Sequence, residues 1–178
     1  VSTFFSDVSI ADKIIHTGDT NTAIRFPAAD TFTVETGGNE RFRVSSDGNL
    51  LQSSDGGETI FEMQRTDSNT SGAVGTINFL ASDDHSVASL GAVGDGDNEG
   101  AHIVFRTTSA AANNSPFNAA TPERVRITSA GRVGIGSAIP GHNLEIMGSF
   151  PDFAISDSDT TNDKFRILHN GGGTQLMV

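Results

Sequence analysis

An eleven-residue pattern occurs twice in this chain at a spacing of 83 residues. Residues 40–50 have the sequence ERFRVSSDGNL, and residues 123–133 have the sequence ERVRITSAGRV. Both copies run acid, base, apolar, arginine, apolar, and then enter a short polar turn that contains glycine. A partial third copy, DKFRILHNG, occupies residues 163–171. Such a recurrence constrains the architecture before any single residue does, because each copy is expected to form the same small structural unit.

Polar and apolar residues alternate within each copy and in several other stretches. Alternation with a period of two places one class of side chain on each face of a β-strand. Asp-Gly and Gly-Gly pairs, which favour tight turns, separate these stretches. We therefore predict an all-β chain, with one helical turn near residues 107–112. The clearest alternating stretches are 31–34, 41–44, 76–79, 102–105 and 124–127.

The composition excludes several classes of protein. The chain has 11 basic and 22 acidic residues and a net charge of −11, which argues against a nucleic-acid partner. No apolar run is long enough to cross a membrane as a helix. The sequence has no cysteine, so disulfides and thiolate metal sites are excluded. We expect no nucleic acid, no membrane insertion and no cofactor.

A second internal sequence similarity suggests how the chain is divided into modules. FEMQRTDS at 61–68 parallels FAISDSDT at 153–160. The predicted β-modules are 1–50, a longer one with inserted loops at 51–137, and a linker with a third module, expected to be incomplete, at 138–178.

Modules this small bury too little apolar surface to fold alone. Because the unequal spacing argues against a regular solenoid, we expect identical chains to interlock about a symmetry axis, which also covers sheet edges.

The side chains of the repeat have simple structural interpretations. We expect Phe42 and Phe165 to be core residues, and the arginines beside them to face acidic residues of a neighbouring strand or chain, or solvent. Gly131, Gly134 and Gly136 are not spaced like a dinucleotide-binding loop and lack a strand-then-helix context. We interpret them as a tight turn with close packing of the backbone.

The second copy and its continuation resemble a known repeat. Residues 123–136 have the sequence ERVRITSAGRVGIG, followed by SAIP at 137–140 and NLEI at 143–146. This run is similar to a repeat in the tail fibre proteins of tailed bacteriophages. The opening segment IADKIIHTGD at 10–19 resembles fibre segments of phages that infect marine bacteria. The resemblance implies an extended shaft of interlocked β-structure, a parallel homotrimer of the β-prism or triple β-helix type.

The same resemblance implies a structural role in a virion. The chain would be a tail fibre shaft or adhesin, exposed outside the host cell and involved in host attachment. Its partners would be other tail or baseplate proteins and a host-surface glycan or protein. Two alternatives remain open, a tailspike-type glycan depolymerase and a capsid-bound head fibre or decoration protein. We expect no enzymatic activity, because the chain lacks a Gly-x-Ser-x-Gly elbow and has no Trp or Tyr to stack on sugar rings.

An acidic turn at residues 95–100 is a weak candidate for a cation site. Asp95, Asp97 and Glu99 occupy alternate positions, and Gly100 stands sixth, as in the first half of a calcium loop. The twelfth position holds Arg106, where such a loop has a bidentate glutamate. The simpler interpretation is a solvated hairpin tip, and we predict no catalytic or cofactor-binding residue.

The candidates for receptor contact lie where the repeat is interrupted, between residues 82 and 122. Asn113, Asn114 and Ser115 offer groups that hydrogen-bond sugar hydroxyls, and Phe117 offers an aromatic face for a sugar ring. The simpler alternative is a loop that only packs against a neighbouring chain.

Overall fold

The computed structural model describes residue 3 and residues 5–66, 71–97, 99–108, 123–156, 164–170 and 173–177. These residues form strands, turns and bends and contain no helix, which confirms the all-β prediction. The predicted helical turn near 107–112 begins inside a strand, at Thr107, and residues 109–112 lie outside the described part. Among the described residues, no helix is long and apolar enough to cross a membrane.

Contacts divide the chain into two compact units, Val1–Glu62 and Met63–Val178. The first unit contains a five-stranded sheet in which each strand pairs antiparallel with the next one along the chain. Its strands are β1 (Lys13–His16), β2 (Asp19–Arg25), β3 (Phe32–Thr36), β4 (Asn39–Val44) and β5 (Leu50–Gln52).

The second unit contains a six-stranded and a three-stranded sheet, each again in sequence order. All neighbours pair antiparallel except β10 and β11, which are parallel. The larger sheet consists of β6 (Ser71–Leu80), β7 (Ser86–Asp95), β8 (Ala101–Thr107), β9 (Glu123–Ile127), β10 (Val133–Ile135) and β11 (Leu144–Ile146). The smaller sheet consists of β12 (Asp152–Ser156), β13 (Lys164–Asn170) and β14 (Gly173–Met177).

The division into modules at residues 50 and 137 stays a prediction. The second boundary falls between β10 and β11, which pair within one sheet. The loop that joins these two strands contains Pro140 and Gly141, the residues that interrupt the strand pattern.

The first two copies of the repeat form the same strand and the same turn. β4 and β9 carry the arginines, and in each copy the residue after the strand donates its backbone N–H to the carbonyl four residues later, at 3.0 and 2.8 Å. Gly48 and Gly131 each have φ 78°, a left-handed conformation that glycine adopts without steric cost. The glycine turns predicted for these copies are therefore confirmed.

A β-bulge occurs at the same place in both copies. The pairing of β4 with β3 shifts by one residue and leaves Arg41 as the extra residue. The pairing of β9 with β8 shifts at the equivalent position and leaves Arg124. Because an extra residue resets the alternation of side chains, Glu40 and Arg43 share one face of the sheet although they are three positions apart. The corresponding acid and arginine of β9 do the same.

Candidate functional site

Both larger sheets present one apolar face that remains open to solvent. Among the residues whose side chains the structure describes, the buried aliphatic and aromatic ones are Ala23 and Val104, and many large apolar side chains are exposed. A folded domain normally covers such faces with a second layer of structure. The uncovered faces are therefore the main candidate surface for function.

In the five-stranded sheet, the strand register places the apolar residues together on one face. Phe42, which was predicted as a core residue, lies on this face opposite Val34 and is only half-buried. The side chain of the second predicted core residue, Phe165, lies outside the described part. The apolar face consists of Ile14, Ile24, Phe32, Val34, Phe42, Val44 and Leu50.

The six-stranded sheet has the corresponding face, formed by alternate residues of all six strands. Phe105 and Ile127 are 41% and 40% exposed, typical of its members. Side chains of this size at this degree of exposure form a continuous apolar patch rather than scattered contacts. The face consists of Ile77, Leu90, Ile103, Phe105, Val125, Ile127, Val133, Ile135, Leu144 and Ile146.

The opposite face of the six-stranded sheet carries a cluster of ion pairs on β8 and β9. Glu123 accepts hydrogen bonds from Arg126 at 2.6 and 2.7 Å and from Arg106 at 3.3 Å. Val104 lies on this face, paired with Arg126 and with Gly91, and its exposed fraction is 0%. Because long arginine side chains can lie flat over apolar surface, they shield this valine from water.

The five-stranded sheet has an equivalent charged face. Arg25 donates to Asp12 and to Glu35, both at 3.1 Å, and Arg43 pairs with an acidic residue of its own strand. Thr33, which pairs with Arg43 in the neighbouring strand, is 1% exposed. Arg25 and Arg43 on this face therefore have acidic partners within the chain.

The electrostatics of Glu123 follow from its position between two arginines. Burial alone raises the pKa of its carboxyl, but the hydrogen bonds and charges of Arg126 and Arg106 more than offset this and hold the pKa below its ordinary value. Its carboxylate is therefore the stable form on this partly buried face.

The two bulge arginines occupy matching positions. Arg41 donates its Nε to the hydroxyl of Thr36 at 3.0 Å, and Arg124 donates its Nε to the hydroxyl of Thr107 at 3.1 Å. Arg41 also pairs with Asp55 at 2.8 Å, and this hydrogen bond lowers the pKa of the aspartate. The repeat arginines were expected to face acids of a neighbouring strand or chain, or solvent. Arg43 and Arg126 instead pair with an acid of their own strand, and Arg41 pairs with Asp55 in the loop after β5. Arg124 contacts a threonine.

The acidic turn uses its carboxylates to hold its own backbone. Asp97 accepts hydrogen bonds from the backbone N–H groups of Glu99 and Gly100 at 2.8 and 2.9 Å, and Asp95 accepts one from Asp97 at 3.4 Å. In the described part of the chain, no group of three or more His, Cys, Asp or Glu side chains could hold a metal ion. The solvated hairpin tip stays the prediction for this turn, with cation binding as the alternative.

A serine, a histidine and an aspartate meet beside this turn, which sequence reasoning missed. The backbone N–H of Ser129 donates to Nδ1 of His102 at 3.0 Å, and a hydrogen bond from the Ser129 side chain lowers the pKa of Asp95. A catalytic triad needs the serine hydroxyl to donate to the imidazole, and here the imidazole accepts a backbone N–H. This arrangement anchors the turn after β9 to the β7–β8 hairpin.

The predicted receptor-contact residues and the glycines of the second copy remain to be placed in the structure. The receptor-contact candidates Asn113, Asn114, Ser115 and Phe117 lie outside the described residues. Close backbone packing is confirmed at two of the three glycines, because a Cβ on Gly134 would overlap the carbonyl oxygen of Ser137 and one on Gly136 would overlap that of Met147. A Cβ on Gly131, which lies in the turn, would meet nothing within 4 Å.

Comparison of the chain with protein families and with curated proteins gives no match. The functional conclusion therefore depends on the geometry of this chain and on the residues that carry the resemblance to fibre repeats.

Proposed function

We propose that this protein is a structural component of a virion fibre, a tail fibre shaft or adhesin that acts as a parallel homotrimer in host attachment. The observation that carries the proposal is the asymmetry of the two larger sheets. Each has a charged face on which arginines pair with acids of the same chain, and an apolar face that is open.

The open faces supply the free energy for assembly. Fully burying an Ile, Leu or Phe side chain contributes about 1.5–3 kcal/mol, so covering the exposed two-fifths of residues such as Ile127 adds roughly 1 kcal/mol each. Several such residues on each sheet are enough to offset part of the entropy lost on association. Identical chains carry identical faces, so three copies around an axis can cover one another.

The charged faces fit the outer surface of such an assembly. Their arginines and acids already have partners in the chain, so no second chain is needed to neutralise them. The net charge of −11 keeps a long exposed particle soluble by self-repulsion.

The role in a virion rests on the resemblance of residues 123–146 to tail fibre repeats. On this proposal the chain lies outside the host cell, its partners are other tail or baseplate proteins and a host-surface glycan or protein, and it carries out no catalysis. A capsid-bound head fibre or decoration protein would use the same repeats.

Sedimentation equilibrium at micromolar concentration tests the assembly. We expect a species of three times the 18.6 kDa chain mass, and a predominant monomer would refute the trimer.

Labelling intact particles with an antibody against the chain tests the location. Label on the tail supports a tail fibre, and label confined to the capsid would replace it with a head fibre.

A further inference from the structure

In the second copy of the repeat, the strand after the turn is covered along its outer edge. β10 pairs with β11, and the parallel ladder includes hydrogen bonds from the backbone N–H of Val133 to the carbonyl of Asn143 and from Met147 to Ile135, both at 2.8 Å. The chain reaches β11 through a loop of only eight residues, 136–143.

The first copy keeps the same spacing beyond its turn but leaves this edge open. The backbone N–H of Ser53 donates to the carbonyl of Arg41 at 3.0 Å, as that of Gly136 donates to Arg124 at 2.9 Å. Residues 60–62 (IFE) stand 83 positions before residues 143–145 (NLE). Yet β5 is the edge strand of its sheet, and residues 60–62 form no strand.

A steric difference disfavours in the first copy the fold-back seen in the second. In the second copy, the connecting loop brings the carbonyl oxygen of Ser137 to a position that a Cβ on Gly134 would overlap. The equivalent residue of the first copy is Leu51, which carries a Cβ. The chain instead runs so that the side-chain amide of Gln52 donates to the carbonyl of Ile60 at 2.6 Å. Ile60 therefore lies at the end of β5. Its equivalent in the second copy, Asn143, lies at the start of β10, where its carbonyl accepts from Val133.

A serine and a glutamate that recur in both copies form a contact only in the second. In the second copy, a hydrogen bond from Ser137 is the main cause that lowers the pKa of Glu145. The equivalent residues are Ser54 and Glu62, so serine and glutamate recur at the same spacing. Ser54 hydrogen-bonds instead with the hydroxyl of Thr59 at 2.9 Å, and Glu62 is exposed.

We propose that the outer edge of β5 binds residues 60–62 of a second copy of this chain as a parallel strand. The register of β10 with β11, carried back by 83 positions, pairs Leu50 with Phe61 and Leu51 with Glu62. Leu50 and Phe61 are 71% and 72% exposed in the single chain, and this pairing sets both on the apolar face. The inference rests on the proposed homotrimer and identifies the strands through which its chains interlock.

Disulfide trapping tests the pairing, and the absence of cysteine gives a clean background. Neighbouring strands lie about 4.8 Å apart, within the range that a disulfide spans. The double variant Leu51→Cys with Glu62→Cys should give covalent dimers and trimers on a non-reducing gel after oxidation of the assembled protein. The matched control, Val133→Cys with Leu144→Cys, should close within one chain and migrate as a monomer.

A monomer-sized, internally linked product from the Leu51 and Glu62 variant would overturn the inference, because the chain would then close its own edge. Since one cysteine pair can fail through geometry alone, Leu50→Cys with Phe61→Cys serves as a second pair. Absence of interchain linkage from both pairs in a sedimenting trimer would overturn the strand exchange and leave the homotrimer intact. A monomer in sedimentation would remove both proposals.

Discussion

Arg126 donates from Nε and Nη2 to the two carboxylate oxygens of Glu123, at 2.7 and 2.6 Å, although the residues stand three positions apart in one strand. In a regular strand, such residues point to opposite faces. The bulge at Arg124 brings them to the same face, and Glu40 with Arg43 repeat the arrangement at 2.8 and 2.6 Å. In the first two copies, the opening acid therefore neutralises the arginine that follows the bulge.

Replacing this acid should destabilise the second unit. Glu123→Gln removes the charge that two arginines share, and its side-chain amide would turn a donor towards guanidinium donors. We expect a loss of about 2 kcal/mol in the free energy of unfolding, because the side chains of Glu123, Arg106 and Arg126 are only 15–19% exposed. Thermal unfolding followed by circular dichroism at fixed protein concentration measures the change.

The matched control is Glu40→Gln in the first copy. Arg43 is 42% exposed, so solvent screens its ion pair and the substitution should cost clearly less stability than Glu123→Gln. If the two substitutions lowered the free energy of unfolding equally, burial of the Glu123 cluster would not increase its contribution to stability.

Acid should weaken the fold through the same carboxylate. The pKa of Glu123 in the folded chain lies below its ordinary value of 4.5, so its contribution to stability is present above pH 4.5 and is lost as the pH falls through the folded value. We expect the melting temperature to decrease when the pH is lowered from 4.5. This decrease should be smaller in Glu123→Gln than in the unmodified chain. Parallel pH profiles would contradict this role.

The strands at 41–44 and 124–127 and the turns that follow were predictable, because alternation and glycine placement are local signals. The bulges were not, since an extra residue in β4 or β9 is defined only by the strand paired with it. The contact of Ser129 with His102 was missed for a similar reason, because it depends on the register of separate hairpins.

Phe42 shows the second limit of prediction from the sequence. Its alternating pattern identified the apolar face correctly, but the single chain provides no layer to cover that face, so the residue is half-buried rather than part of a core. A pattern of side chains specifies which face is apolar and does not specify which chain covers it.

Gly134 should tolerate no side chain. Gly134→Ala would push a Cβ into the carbonyl of Ser137, and overpacking of this kind costs about 1–3 kcal/mol. We expect the melting temperature to fall by roughly 4–8 °C for a loss of about 2 kcal/mol in a chain of this size. Gly148→Ala is the control, because a Cβ there has nothing within 4 Å, and a similar fall in both variants would refute the close packing.

A carboxylate on either apolar face should prevent assembly. Phe42→Asp and Ile127→Asp would bury an unpaired charge wherever these faces are covered, so we expect monomers by sedimentation. The control Ala130→Asp places the same charge in the exposed turn after β9 and should leave the oligomer unchanged. Normal trimers of both face variants would show that other surfaces assemble the fibre.

The receptor loop can be tested on whole particles. On the proposed fibre function, the strands of the shaft repeat to maintain threefold packing, so receptor contact is expected where the repeat is interrupted. Deleting residues 113–115 removes Asn113, Asn114 and Ser115, whose polar groups suit sugar hydroxyls, and we expect adsorption of intact virions to host cells to fall. Sedimentation of the variant serves as the control, because a lost trimer would explain lost adsorption by assembly alone. Unchanged adsorption with a normal trimer would exclude the loop as a receptor contact and assign recognition to another part of the fibre.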